Sequence, residues 1–123
     1  MIHTSSSDQT LSILQVLPSL VSGGVERGTL DLCQHLIDHG HKAWVISSGG
    51  PLVNTLENMG ATHIQLDVHS KNPFVMWKNS RKLYQLFKQH AFDLVHVRSR
   101  APAWSCYWAS NQANIPLVTT FHG

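Results

Sequence analysis

The sequence predicts an α/β protein built on a doubly wound parallel sheet of about five strands, in the order 3-2-1-4-5. Three observations carry that expectation. Short apolar runs alternate with stretches of helical periodicity along the whole chain. The first run, from Leu11 to Leu17, is almost continuously apolar, as a strand buried on both faces must be. The connections are short, and several carry Gly or Pro where a strand hands over to a helix.

Each element has its own reason. Residues 1–10 are a polar lead-in, and residues 11–123 read as one unit with no internal linker. After the first strand the chain passes Pro18 and the small-residue turn Ser22-Gly23-Gly24. Apolar residues at 25, 29, 32, 33, 36 and 37 then recur at helical spacing, with Glu26 in the positive first turn and Gly40 placed for the αL residue that ends a helix. Lys42 to Ser48 is the second strand, followed by Gly49-Gly50-Pro51 and a short helix from Leu52 to Met59. Thr62 to Asp67 alternates apolar and polar residues as a more exposed third strand would. Pro73 opens a long helix to about His90, with Met76, Leu83, Leu86 and Phe87 on its apolar stripe. Asp93 to Val97 is the fourth strand. A helix with Pro102 in its first turn follows, and Leu117 to Phe121 is the fifth strand. Right-handed crossovers place the first two helices on one face of the sheet and the last two on the other. Cys33 and Cys106 then lie on opposite faces and cannot bridge.

Composition excludes several classes of function. Apolar residues make up 42% of the 123 and charged residues 13%, which supplies a core and argues against disorder. A formal charge of +2 gives no basis for nucleic-acid binding. Two cysteines in no CxxC or CxxH spacing give neither a zinc site nor a disulfide framework. No stretch approaches the length of a spanning helix, and the N-terminus lacks the apolar run of a signal peptide, so the expected location is the cytoplasm. Basic and aromatic residues mix between Lys71 and Lys88; an ordinary solvated helix face explains them, and peripheral contact with an anionic membrane surface stays open as the alternative.

In an open α/β sheet the ligand crevice lies at the carboxyl ends of the strands, and the candidate site residues collect there. The spacing G-G-x-x-x-G of Gly23, Gly24 and Gly28 is neither GxGxxG nor a P-loop, and Ser47 and Ser48 stand where a dinucleotide site would want an acid. The turn is either a tight strand-to-helix connection with no ligand or a place where the N–H groups of Gly24 and Val25 hold an anion or a sugar. His122, at the end of the fifth strand, can donate to a sugar hydroxyl or soften charge on a leaving phosphate. Arg98 and Arg100 put guanidinium groups at the same edge, suited to phosphate or carboxylate. Trp104, Tyr107 and Trp108 recur at helical spacing, which favours core packing over a sugar-stacking platform. His35, His39 and His41 cluster at a helix end without a carboxylate or Cys partner, so they read as solvated histidines and no metal is expected.

Taken in order, Ser22-Gly23-Gly24-Val25-Glu26-Arg27-Gly28, Gly40-His41, Ser48-Gly49-Gly50, Asp93-Leu94-Val95-His96, Ser99-Arg100-Ala101-Pro102-Ala103-Trp104 and Thr119-Thr120-Phe121-His122-Gly123 resemble the N-terminal domain of a family 4 (group 1) glycosyltransferase. The resemblance implies a GT-B architecture, in which two Rossmann-like domains face each other across a cleft. It implies transfer of a sugar from a nucleotide-diphosphate sugar to a glycan or lipid-linked acceptor, without a cofactor or bound metal. By the same resemblance Gly23, Gly24 and Val25 lie on the donor side, His122 contacts the donor sugar, and Arg98, Arg100 and Trp104 lie on the acceptor side. The subgroup with this SRAPAW segment acts in bacterial cell-surface polysaccharide or lipopolysaccharide synthesis, at the cytoplasmic side of the inner membrane. Residues 11–123 would then be an incomplete N-terminal domain whose partner, the C-terminal GT-B domain, is missing, and the isolated chain is expected to be inactive. The competing reading is a stand-alone flavodoxin-like binding or regulatory module. A receiver-type version would need acidic residues at the end of the first strand, where Pro18 and Ser19 stand.

Overall fold

The structure, a computed structural model, describes residues 10–18, 20, 24–68, 70, 72–98 and 103–120, and of Trp104 it describes the backbone. Five parallel strands, β1 (Ser12–Val16), β2 (Lys42–Ser47), β3 (Thr62–Gln65), β4 (Leu94–Val97) and β5 (Leu117–Thr119), form one sheet in the order β3-β2-β1-β4-β5. Four helices connect them: α1 (Gly24–Asp38), α2 (Val53–Asn58), α3 (Pro73–His90) and α4 (Ala103–Ala113). The sheet order is the one the sequence predicts, and the element ends agree to within about two residues, the usual uncertainty of a helix or strand terminus.

The pleat of the sheet divides the core in two. Leu14 and Val16 of β1, Ile46 of β2 and Val95 and Val97 of β4 point to one face, where Leu83 and Phe87 of α3 and Cys106 and Ala109 of α4 bury them. Ala43 and Val45 of β2 point to the other face and pack on Cys33 of α1 and Leu56 of α2, together with Leu17 and Leu20 from the segment after β1. Central β1 is covered on both sides, which is why its run in the sequence is nearly all apolar.

One helix departs from the expected packing. Tyr107 and Trp108 of α4 are 62% and 37% exposed, so they do not form the core stripe that their spacing suggests. The buried stripe is Ser105, Cys106, Ala109 and Ser110. Small residues let α4 approach α3 closely enough for the Ser105 hydroxyl to donate to the Met76 carbonyl at 3.2 Å. The choice of face therefore goes to the residues that permit close approach, and the bulky rings are turned outward.

Pro18 and Leu20, after β1, are tied to the loop after β2. Leu20 N–H donates to the Gly49 carbonyl at 2.9 Å, and Leu52 N–H donates to the Leu20 carbonyl at 3.1 Å. Ser48 donates to the Pro18 carbonyl twice, from its N–H at 2.8 Å and its hydroxyl at 2.6 Å. Gly50 is required here: its φ is +146°, and a Cβ on it would meet the Leu20 carbonyl oxygen at 2.3 Å.

Candidate crevice at the carboxyl edge of the sheet

The crevice is built where β1 and β4 end and α1 begins. The α1 N-terminus at Gly24 and Val25 leaves its first N–H groups without helical partners, and Glu26 completes its first turn. Beneath the second turn lies Arg98, one residue beyond β4. Its Nη1 stands where a Cβ on Gly28 would come within 3.5 Å, so the guanidinium lies close against the helix backbone. Arg98 thus belongs to the α1 face of the sheet.

What holds Arg98 there is Gln15, a fully buried side chain in the middle of β1. The Gln15 Oε1 accepts from Arg98 Nε at 2.7 Å, while its Nε2 donates to the Thr29 carbonyl at 3.2 Å and to Cys33 Sγ at 3.4 Å. One amide therefore links the central strand, the first helix and the cation. Burial lowers the Arg98 pKa from its ordinary value, but an arginine stays charged at neutral pH. Burial also pushes the Cys33 thiol up to about 11, so Cys33 is a neutral hydrogen-bond partner and not a nucleophile.

Two further polar pairs line the same edge. Ser47, the last residue of β2, shares a hydrogen bond of 2.7 Å with His63 Nε2 of β3, and its Oγ also accepts from Gly49 N–H at 3.0 Å. Burial lowers the His63 pKa, with Glu57 opposing it, so the pair is neutral at neutral pH. At the other end of the sheet His96 Nε2 lies 3.0 Å from Thr120 Oγ1, just past β5. The two serines that close the second strand therefore serve loop geometry: Ser47 shapes the β2–α2 turn and Ser48 ties it to Pro18.

Of the residues singled out in the sequence, the structure describes Gly24, Val25, Gly28 and Arg98, and it sets Arg98 against α1 at Gly28. Gly23, Arg100 and His122 lie outside the described residues, as does the side chain of Trp104. Gln15 was the residue that sequence reading passed over. Its signal was present: a carboxamide between Leu14 and Val16 in a strand buried on both faces needs partners from other elements. The three histidines near the end of α1 are engaged locally. His39 Nδ1 bonds the His35 carbonyl at 2.8 Å, and His41 Nδ1 accepts from Leu11 N–H at 3.1 Å. Among the described residues no group of three or more His, Cys, Asp and Glu is placed to hold a metal ion.

The chain is similar to a glycosyltransferase from Rickettsia africae ESF-5, at 47% identity and a TM-score of 0.84 over 93% of this chain. That match spans about 30% of the Rickettsia chain. Acinetobacter baumannii MurG matches with a TM-score of 0.72 at 17% identity, over 90% of this chain and 35% of that one. Anabaena Alr3699/HepE, solved in complex with UDP and glucose, matches with a TM-score of 0.63 at 19% identity, over 89% of this chain and 29% of that one. At the identities of the last two the likeness is one of fold. No curated protein matches the chain. The sheet order and its flanking helices are those of the N-terminal Rossmann-like domain of GT-B glycosyltransferases. The family model for Glycosyltransferase Family 4 matches residues 22–123, and the chain belongs to that family.

Proposed function

We propose that this chain forms the acceptor-side part of a transferase that moves a sugar from a nucleotide-diphosphate sugar to a glycan or lipid-linked acceptor. The observation that carries this reading is a half-buried, amide-anchored guanidinium set against the backbone of α1 one turn from its N-terminus. In the proposal the N–H groups of Gly23, Gly24 and Val25 approach the donor diphosphate, and the positive end of α1 favours its charge. Arg98, fixed by Gln15, directs its Nη groups to an anionic group where donor and acceptor meet, with Arg100 and Trp104 on the acceptor side. His122 meets the donor sugar and eases charge at the leaving phosphate. A C-terminal GT-B domain would supply most of the nucleotide contacts, so the 123 residues alone would bind weakly and would not turn over. Synthesis of a bacterial cell-surface polysaccharide or lipopolysaccharide, at the cytoplasmic face of the inner membrane, is the setting that the SRAPAW segment supports. The nucleotide in the HepE complex supports a uridine diphosphate donor.

A segment swap tests the reading. This chain replaces the matching segment of the Rickettsia africae glycosyltransferase, and release of nucleoside diphosphate is followed with each donor that the parent uses. The swapped enzyme is expected to turn over, the 123-residue chain alone to release nothing, and Arg98→Ala in the swap to lose about tenfold or more in kcat/KM. A folded swap that releases no nucleoside diphosphate with any of those donors would sink the proposal.

A further inference from the structure

The two edges of the sheet are built differently. On the β3 side, Glu57 of α2 lies near His63, and Asp67 follows just after the strand, so charge guards that edge. On the β5 side, the stretch from Ala103 to Thr120 holds no aspartate, glutamate, lysine or arginine, although the chain has nine basic and seven acidic residues. Val118, in the middle of β5, is 45% exposed. A cleft of about 460 Å³ runs between α4 and the start of β5, lined in part by Tyr107, Asn111, Asn114, Ile115 and Leu117. The core of a protein interface is ordinarily poor in charge and rich in tyrosine, and an uncharged open edge is a template for pairing.

The backbone decides what can pair there. The Pro116 carbonyl accepts from Val95 N–H at 3.0 Å, and Thr120 N–H donates to the Val97 carbonyl at 2.9 Å. Residues 116, 118 and 120 therefore direct their backbone groups to β4, and the alternation along a strand turns those of Leu117 and Thr119 outward. Among the described residues no strand takes up those groups. The two outward residues lie symmetrically about Val118. A second copy of β5, antiparallel across a two-fold axis through Val118, sets Leu117 of each copy opposite Thr119 of the other, and each such pair exchanges both of its hydrogen bonds. The same axis brings the two Val118 side chains together as a cross-strand pair of β-branched residues. With no charged residue from Ala103 to Thr120, the copies meet no like charge at this edge. A two-fold contact through α3 would instead set Lys78, Arg81 and Lys82 against themselves.

We propose that β5 is a self-association edge, through which two copies of this chain join into one continuous sheet with Val118 on the two-fold axis. The strand is three residues long, so the backbone bonds are few and the dimer is reversible, its fraction rising with concentration. The contact uses none of Gly24, Val25 and Arg98 and is independent of the transfer reading above.

Sedimentation velocity of the 123-residue chain over a range of concentrations tests this. A monomer–dimer equilibrium that stops at the dimer is expected. Thr119→Pro removes an outward N–H, leaves the bonds to β4 intact, and should weaken the dimer by about tenfold or more. Val118→Lys sets two ammonium groups face to face on the axis and should weaken it by about as much. Thr62→Lys, on the β3 edge, should leave it unchanged. Circular dichroism checks that each variant is folded. Amide hydrogen exchange reads the edge without any substitution: as concentration rises, the Leu117 and Thr119 amides should slow, while Thr120, already bonded to β4, should not change. The proposal is overturned if the chain stays monomeric throughout, which would leave the edge to a strand of another polypeptide. It is equally overturned if assembly continues past the dimer, or if a dimer forms without slowing the Leu117 and Thr119 amides.

Discussion

Gln15 shows how one side chain can join a strand, a helix and a charge. Its carboxamide is fully buried, and both ends of it are used, by Arg98 on one side and by Thr29 and Cys33 on the other. Leucine would fit the strand pattern but would leave the Arg98 Nε without its acceptor in a partly desolvated place. Gln15→Leu is therefore expected to cost about 1–3 kcal/mol, the range for stranding a buried polar group. The urea midpoint at unchanged slope reads this, and a midpoint equal to that of the parent chain would show that Arg98 finds water instead. The same logic separates Arg98 from the exposed cations of α3. Its guanidinium is positioned by a buried amide of the core, while Lys78, Arg81 and Lys82 stand at the surface.

At the scale of elements, α3 is the best-specified helix and also carries an identifiable weakness. Asn72 caps its start, accepting from Phe74 N–H at 2.9 Å, and Pro73 occupies the first helical position, where an N–H has no partner to lose. Its end is set by Ala91, whose N–H still donates to the Phe87 carbonyl at 3.1 Å but whose left-handed conformation, φ 51° and ψ 55°, turns the chain out of the helix. An alanine there carries the Cβ penalty that glycine avoids, and Ala91 is exposed, so no packing is lost on its removal. Ala91→Gly should raise stability by about 0.5–1 kcal/mol, net of the extra freedom that glycine gives the unfolded chain. Asn72→Ala should lower it by about 1 kcal/mol. Thermal unfolding of the two variants beside the parent measures both, and a fall in melting temperature for Ala91→Gly would contradict the left-handed cap.

For the whole molecule, the two-sided core decides how the thiols behave. Cys33 lies in the layer under α1 and α2, and Cys106 lies in the layer under α3 and α4, with the sheet between them. Both are buried, and burial raises both thiol pKa values, Cys33 to about 11 and Cys106 further still. In the native protein neither should react with Ellman's reagent except through opening of its layer, and both should react at once in denaturant. Rapid release of one equivalent from the folded chain would show that one layer is loose. No bridge between them can form without dismantling the sheet, since a disulfide needs Cα atoms within about 7 Å.

Order and periodicity in the sequence were enough for the sheet, because a strand buried on both faces and a helix with one apolar stripe leave different patterns in a linear chain. The double-wound order follows from the handedness of crossovers, which is a property of every L-polypeptide and not of this one. A local signal, Pro73, also marked the start of α3. What the linear pattern could not carry was any choice made between elements. Which face α4 buries depends on how near α3 can come, so small residues outrank the aromatic spacing of Tyr107 and Trp108. The partner of Arg98 sits 83 residues away on a neighbouring strand, and the partner that makes Gly50 obligatory is a backbone carbonyl, which no sequence pattern displays. The sequence alone determined the layers of this protein; contact between distant residues, which exists only once the sheet has formed, decided the crevice and the aromatic face.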